Sequence, residues 1–167
     1  MIRWAALLPV LLLASCPPRP HDAAETSGAP DLETAAIARG IVRDPRDTDP
    51  AGLYARDTDR VCIVPKGLDY RIGAFVDYGE GITCNAAGSI TRSGETLRVR
   101  LGDGKCSFDA RFDGDRISFP GRLPDTCATL CTQRASLAGL EVTRLSESLS
   151  EAAAMRDARG RLPCATR

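Results

Sequence analysis

Between Leu53 and Pro120 apolar residues recur at every second position, and glycine-bearing turns interrupt the pattern at intervals of about ten residues. The clearest stretch is Lys105 to Phe112. Cys106, Phe108, Ala110 and Phe112 fall on one side, and Lys105, Ser107, Asp109 and Arg111 on the other. Successive side chains of a strand point to opposite faces, so this period predicts strands with one buried and one wet face. Six are expected: Arg60 to Pro65, Tyr70 to Tyr78, Ile82 to Thr91, Thr96 to Leu101, Lys105 to Phe112 and Asp115 to Pro120. In the second, Ile72, Ala74, Val76 and Tyr78 should share the inner face. Asp113-Gly114 reads as a type I′ hairpin turn, which needs positive φ at both central residues. Short turns between consecutive strands favour antiparallel pairing. The expected fold is therefore mainly β, an antiparallel meander forming a small barrel or sandwich, and Leu137 to Leu145 offers a closing strand.

Helices are expected at the margins. Asp31 to Gly40 reads as a short helix with Asp31 as cap, Gly40 as terminator and Leu32, Ala36 and Ile37 on one face. After the sixth strand, Asp125-Thr126 would cap a short helix over Cys127 to Arg134, with Cys127, Leu130 and Cys131 facing one way. Ser148-Leu149-Ser150-Glu151 is a capping-box pattern opening a C-terminal helix that should run to Arg159 and stop at Gly160. Arg43 to Pro50 is a polar, turn-rich connector.

The chain begins with an export pattern. Arg3 supplies a positive charge, Trp4 to Leu13 is an apolar run of about ten residues, and Pro17, Pro18 and Pro20 end it. That run falls well short of the roughly 20 residues a spanning helix needs. It closes on Leu13-Ala14-Ser15-Cys16, which resembles the lipobox of bacterial lipoproteins: an aliphatic residue and two small ones before a cysteine that becomes lipidated. The resemblance implies that residues 1–15 are a signal peptide and that Cys16 is the acylated first residue of the mature chain. Pro17, standing where many inner-membrane lipoproteins carry Asp, leans towards the outer membrane. The implied organisation is a lipid-anchored tether with its short helix over 16–50, a β domain over 51–146, and a C-terminal helix and tail over 147–167. Residues 17–30, rich in Pro, Ala and small polar residues, have little to bury and are expected to form a flexible tether.

Seven cysteines less Cys16 leave an even set: Cys62, Cys84, Cys106, Cys127, Cys131 and Cys164. In an exported chain these read as three disulfides, with all fifteen connectivities open. Cys106 and Cys84 sit on inward positions, Cys127 and Cys131 should staple their helix to the body at two points, and Cys164 should tie down the tail. Cys127 and Cys131 lack two further ligands for a zinc site, and neither a Cys-x-x-Cys redox pair nor a haem-attachment motif occurs.

The single histidine, His21, precedes the domain, so no Ser-His-Asp or Cys-His centre and no usual zinc site is written there. Lys+Arg and Asp+Glu each number 22, without the basic stripe that nucleic acid demands. Arg56 to Arg60, Ser136, Gly79-Glu80-Gly81 and Gly102-Asp103-Gly104 read as turns rather than chemistry. No catalytic residue, metal or cofactor is therefore expected. The expected function is a lipid-anchored envelope protein, facing the periplasm and working as a non-enzymatic binding or structural module. Its partners would be the membrane through Cys16 and an envelope protein or small ligand, with no nucleic acid. In size, anchor and cysteine-tied β plan it resembles the periplasmic lysozyme- and protease-inhibitor lipoproteins. The alternative expectation is an Asp/Glu-dependent hydrolase of cell-wall or glycan substrates, which needs a concave pocket holding two carboxyl groups.

Overall fold

The computed structural model describes residues 31–165. Cys16 and residues 17–30 lie outside them. Eight antiparallel strands, each paired with its neighbours in sequence, close into a barrel when the last pairs with the first: β1 Gly52–Arg56, β2 Asp59–Lys66, β3 Asp69–Asp77, β4 Thr83–Ser93, β5 Thr96–Leu101, β6 Cys106–Phe112, β7 Arg116–Ser118 and β8 Glu141–Ser146. The meander of the sequence reading is thus a barrel rather than a sandwich. It has one strand more than the alternation suggested. β1 closes the barrel on β8 through the pairs Leu53–Ser146, Tyr54–Arg144 and Ala55–Thr143.

Eight strands leave an interior just wide enough for side chains to fill. Here it is filled. Tyr54, Val61, Ile63, Ile72, Leu97, Val99, Leu101, Phe112 and Ile117 have no accessible surface, so no water-sized void touches them. β6 buries Cys106, Phe108, Ala110 and Phe112 and exposes the residues between, as its alternation requires. β2 breaks the rule because it is covered on both sides: Val61 and Ile63 face the interior, while Cys62 and Val64 lie under Ala152, Met155 and Cys164. Tyr78 departs from its expected inward position. β3 ends at Asp77, and Tyr78 enters a turn in which its N–H donates to Ile82 O, leaving its ring more than half exposed.

Both ends of the barrel are stopped. At one end the long β7–β8 connection folds inward, adding Phe119, Cys127, Ala135, Leu137 and Leu140 to the core, with the Phe108 and Phe119 rings packed edge-on at 4.8 Å. At the other end the 43–51 connector lies across the opening, with Pro45, Pro50 and Ala51 buried. Two arginines clamp it. Arg92 donates to the carbonyls of Pro45, Arg46 and Thr48, and Arg144 to those of Asp49, Ala51 and Gly114. Their guanidinium groups stand 5.2 Å and 5.8 Å from the centre of the Phe112 ring, and Arg144 also lies 4.9 Å from that of Tyr54.

Helical segments are shorter than expected. Helix α1, Leu32–Ala38, ends at Gly40 with the two backbone bonds of a Schellman cap, Ile41 N–H to Ala36 O and Gly40 N–H to Ile37 O. Asp31 makes no side-chain cap, and Leu32 points into solvent. The helix expected over Cys127 to Arg134 is a 3₁₀ segment, Asp125–Leu130. Cys131 is already extended, because Thr132 exchanges hydrogen bonds with Thr83 and draws the chain alongside β4. Helix α2, Leu149–Ala154, starts as predicted with Ser148 Oγ accepting from Glu151 N–H. It stops at Met155 rather than Arg159. Met155 turns extended to bury itself against the β2 cluster, and the buried Asp157 carboxylate then gathers the N–H groups of Arg159 and Arg161 into a loop. In the β6–β7 turn only Gly114 adopts positive φ, at 96°, so the expected I′ geometry at Asp113-Gly114 is not formed.

Candidate functional site

The six cysteines of the domain form three disulfides: Cys62–Cys164, Cys84–Cys131 and Cys106–Cys127. Each joins a barrel strand to a covering segment. Two hold the β7–β8 connection in the barrel mouth, and one holds the C-terminal tail against β2. The tail lies close because Gly73, opposite Cys62 in the register, has no side chain; a Cβ there would sit 2.6 Å from Pro163 and 2.8 Å from Cys62 Sγ. Buried disulfides of this kind fit an oxidising, extracytoplasmic compartment.

A filled interior leaves only the outside for recognition, and two concavities dominate it. The larger, an open cleft of about 620 Å³ beside the connector, is lined by Arg43, Asp44, Asp47, Thr48, Asp49, Ala51, Arg144, Glu147 and Leu149. Asp44, Asp47, Asp49 and Glu147 bring four carboxylates into this hollow. Two of them are already engaged: Arg43 bonds Glu147, and Arg46 bonds Asp44 at 2.8 Å. The same arginines push both carboxyls below their usual titration range, the direction opposite to that of a general acid poised near neutrality. Arg144 is spent on carbonyls. Its Nε lies 3.3 Å from Asp115 Oδ1 but is too poorly aligned to donate, so that buried N–H has no hydrogen-bond partner. This cleft has the chemistry of a clamp.

The second concavity is a groove of about 400 Å³ on the outer face of β3, β4 and β5, lined by Lys66, Arg71, Ala87, Gly88, Ser89, Arg100, Gly102, Gly104 and Pro163. Its charged residues are all basic. It continues into a recess of about 450 Å³ that shares Ala87, Gly102 and Pro163 and adds Asn85, Leu130, Asp157, Arg161 and Leu162. The floor is backbone. Gly88 allows β4 and β5 to approach so closely that a Cβ would lie 1.9 Å from Arg100 O. Arg71 is steadied by donating to Ala165 O at 2.9 Å.

The turns singled out from sequence remain turns. Asp59 accepts from Asp77 N–H at the β1–β2 hairpin, Ser136 accepts from Ala138 N–H, and Gly79, Gly81, Gly102 and Gly104 all take positive φ. Among the described residues, no group of three or more His, Cys, Asp or Glu side chains is arranged to hold a metal ion, and no helix is long and apolar enough to cross a membrane. The basic groove escaped the sequence reading. Its signal was there in part, since Arg98 and Arg100 alternate with apolar residues on one strand. What brings Arg100 beside Ser89 and Arg71 is register, which composition does not encode. Comparison with known proteins returns no match: no family model, no curated protein and no solved structure aligns significantly with this chain.

Proposed function

We propose that this chain is an exported protein, anchored in a bacterial cell envelope by an acylated Cys16 and facing the periplasm. It serves there as a non-enzymatic binding or structural module that works through its outer surface. The observation that carries this reading is the pairing of all six domain cysteines among themselves, which leaves Cys16 as the cysteine without a disulfide role. An oxidising compartment suits such bridges, and a lipobox cysteine free of them suits acylation. The solid interior favours contact through the outside over enclosure of a ligand, a plan compatible with an inhibitor-like module. Pro17 favours the outer membrane.

Intact-mass spectrometry of the unreduced protein recovered from membranes tests the anchor. The expected mass is that of residues 16–167 bearing acyl groups at Cys16 and lacking the six hydrogens of three disulfides. A Cys16→Ser variant is expected to leave the lipid-extracted fraction. Unacylated protein cut at another position would overturn the proposal.

A further inference from the structure

We infer that the groove on the outer face of β3–β4–β5 is an oxyanion site that takes a phosphate-bearing ligand between Arg71 and Arg100. This deepens the reading of the molecule as a surface binder and rests on it, but not on the lipid anchor. The site follows from register. Arg71 pairs with Ser89, and Ser89 with Arg100, so the three side chains form a row on one face. Adjacent strands lie about 4.8 Å apart, which puts the two arginines about 10 Å apart with a hydroxyl between them. That span suits two guanidinium forks closing on one phosphate from opposite sides while Ser89 donates from below. Lys66 adds a third positive charge at the rim, and Gly88 supplies no side chain to fill the space.

Charge pairing elsewhere on the barrel makes the row unusual. On the same strand and face as Arg100, Arg98 is opposite Asp109 and bonded to it at 3.1 Å. Arg116 pairs with Glu141, and Arg111 with Glu95. Arg100 instead faces Ser107 across β6 and Ser89 across β4. Asp69, opposite Lys66 in the register, makes no ion pair with it among the described residues. Arg71 and Arg100 have only Ser89 between them in this row, so their charges repel one another, and an arriving phosphate anion relieves that repulsion. Arg71 is also held in place before any ligand arrives, because Ala165 O already fixes one arm of its fork.

The protein as purified from its native host, in neutral detergent, should bind radiolabelled inorganic phosphate saturably in equilibrium dialysis. Arg100→Gln and Arg71→Gln should each weaken binding by about tenfold or more, as expected for losing charge-assisted hydrogen bonds. Ser89→Ala should weaken it less, and Arg98→Gln should leave it unchanged. Arg100 and Arg98 are both exposed, so circular dichroism of those two variants should match the parent. Competition separates two sources of the phosphate. Stronger displacement by glycerophosphoglycerol than by pyrophosphate points to a lipid headgroup, the reverse order points to a soluble phosphate compound, and both support the site. Absence of saturable binding would overturn it, as would an equal loss in Arg98→Gln. So would binding that appears only when the C-terminal carboxylate is capped as an amide, since the groove would then be taking the chain's own carboxylate. Failure of acylation at Cys16 would leave all these readings unchanged.

Discussion

Arg144 is the residue on which the most local structure depends. Its three carbonyl acceptors come from the connector and the β6–β7 turn, and its guanidinium lies over two aromatic rings. Arg144→Met keeps the apolar stem but leaves those carbonyls without their donor. The expected loss is about 3 kcal/mol, read as a lower urea midpoint at unchanged slope. Tyr54 beneath it donates to Pro50 O, and burial pushes its phenol well above the ordinary tyrosine value. The sign follows from the neutral form being favoured in the fold. The contribution is fully present below the unfolded pKa of about 10 and is lost as pH rises towards the higher folded value. Absorbance titration near 295 nm should therefore show one tyrosine ionising only together with alkaline unfolding. Tyr54→Phe should abolish that coupled step. Gly88 makes a third case. Gly88→Ala drives a Cβ into the Arg100 carbonyl and should cost about 2 kcal/mol or more, since backbone must move to admit it. None of these roles was legible beforehand. Arg144 falls within the expected closing strand, but local pattern says nothing of its role because its partners lie some 30 to 95 residues away in sequence.

At the scale of elements, legibility tracked how cleanly one face was buried. β5 and β6 alternate strictly and were read directly, whereas β1, Gly52–Arg56, was passed over. It is short, and Leu53 is partly covered by the α2 cluster outside while Tyr54 points inside, so no wet face marks it as a strand. The helices were over-extended for a related reason. Local periodicity at Cys131 and Met155 suggests continued helix, but a strand-like pairing of Cys131 with Cys84 and a buried site beside Val64 outweigh it. The disulfide partners lay beyond reach because fifteen pairings were open and the sequence ranks none of them. Their placement makes a prediction of its own. Replacing Cys62 and Cys164 by serine opens a cross-link spanning 102 residues, worth about 4 to 5 kcal/mol in the chain-entropy account. Global stability should fall by that amount, while at moderate temperature the barrel stays folded and local exchange and proteolysis rise first over residues 149–165. Gly73→Ala should give a milder version by lifting Pro163 off β3. Absence of any early local opening over residues 149–165 in either variant would contradict this division of labour.

The whole molecule is a solid cylinder with a stopper at each end, and that arrangement decides how it meets anything else. Tyr54, Phe112 and Leu101 fill the interior, so the side of the cylinder is the surface open to contact. Enlarging the interior should not create function: Leu97→Ala is expected to cost about 3 kcal/mol through lost packing and to leave phosphate binding unaltered once the protein is folded. Closure has another consequence. Because β8 returns to β1, every strand has a neighbour on both sides, and the longest stretch left for a foreign strand is Cys106–Ala110 of β6, since the short β7 pairs only with Arg111 and Phe112. Copies crowded side by side would therefore find only that short stretch as a backbone template through which to polymerise. A protein built this way tolerates crowding that an open sheet of the same composition would convert into aggregate.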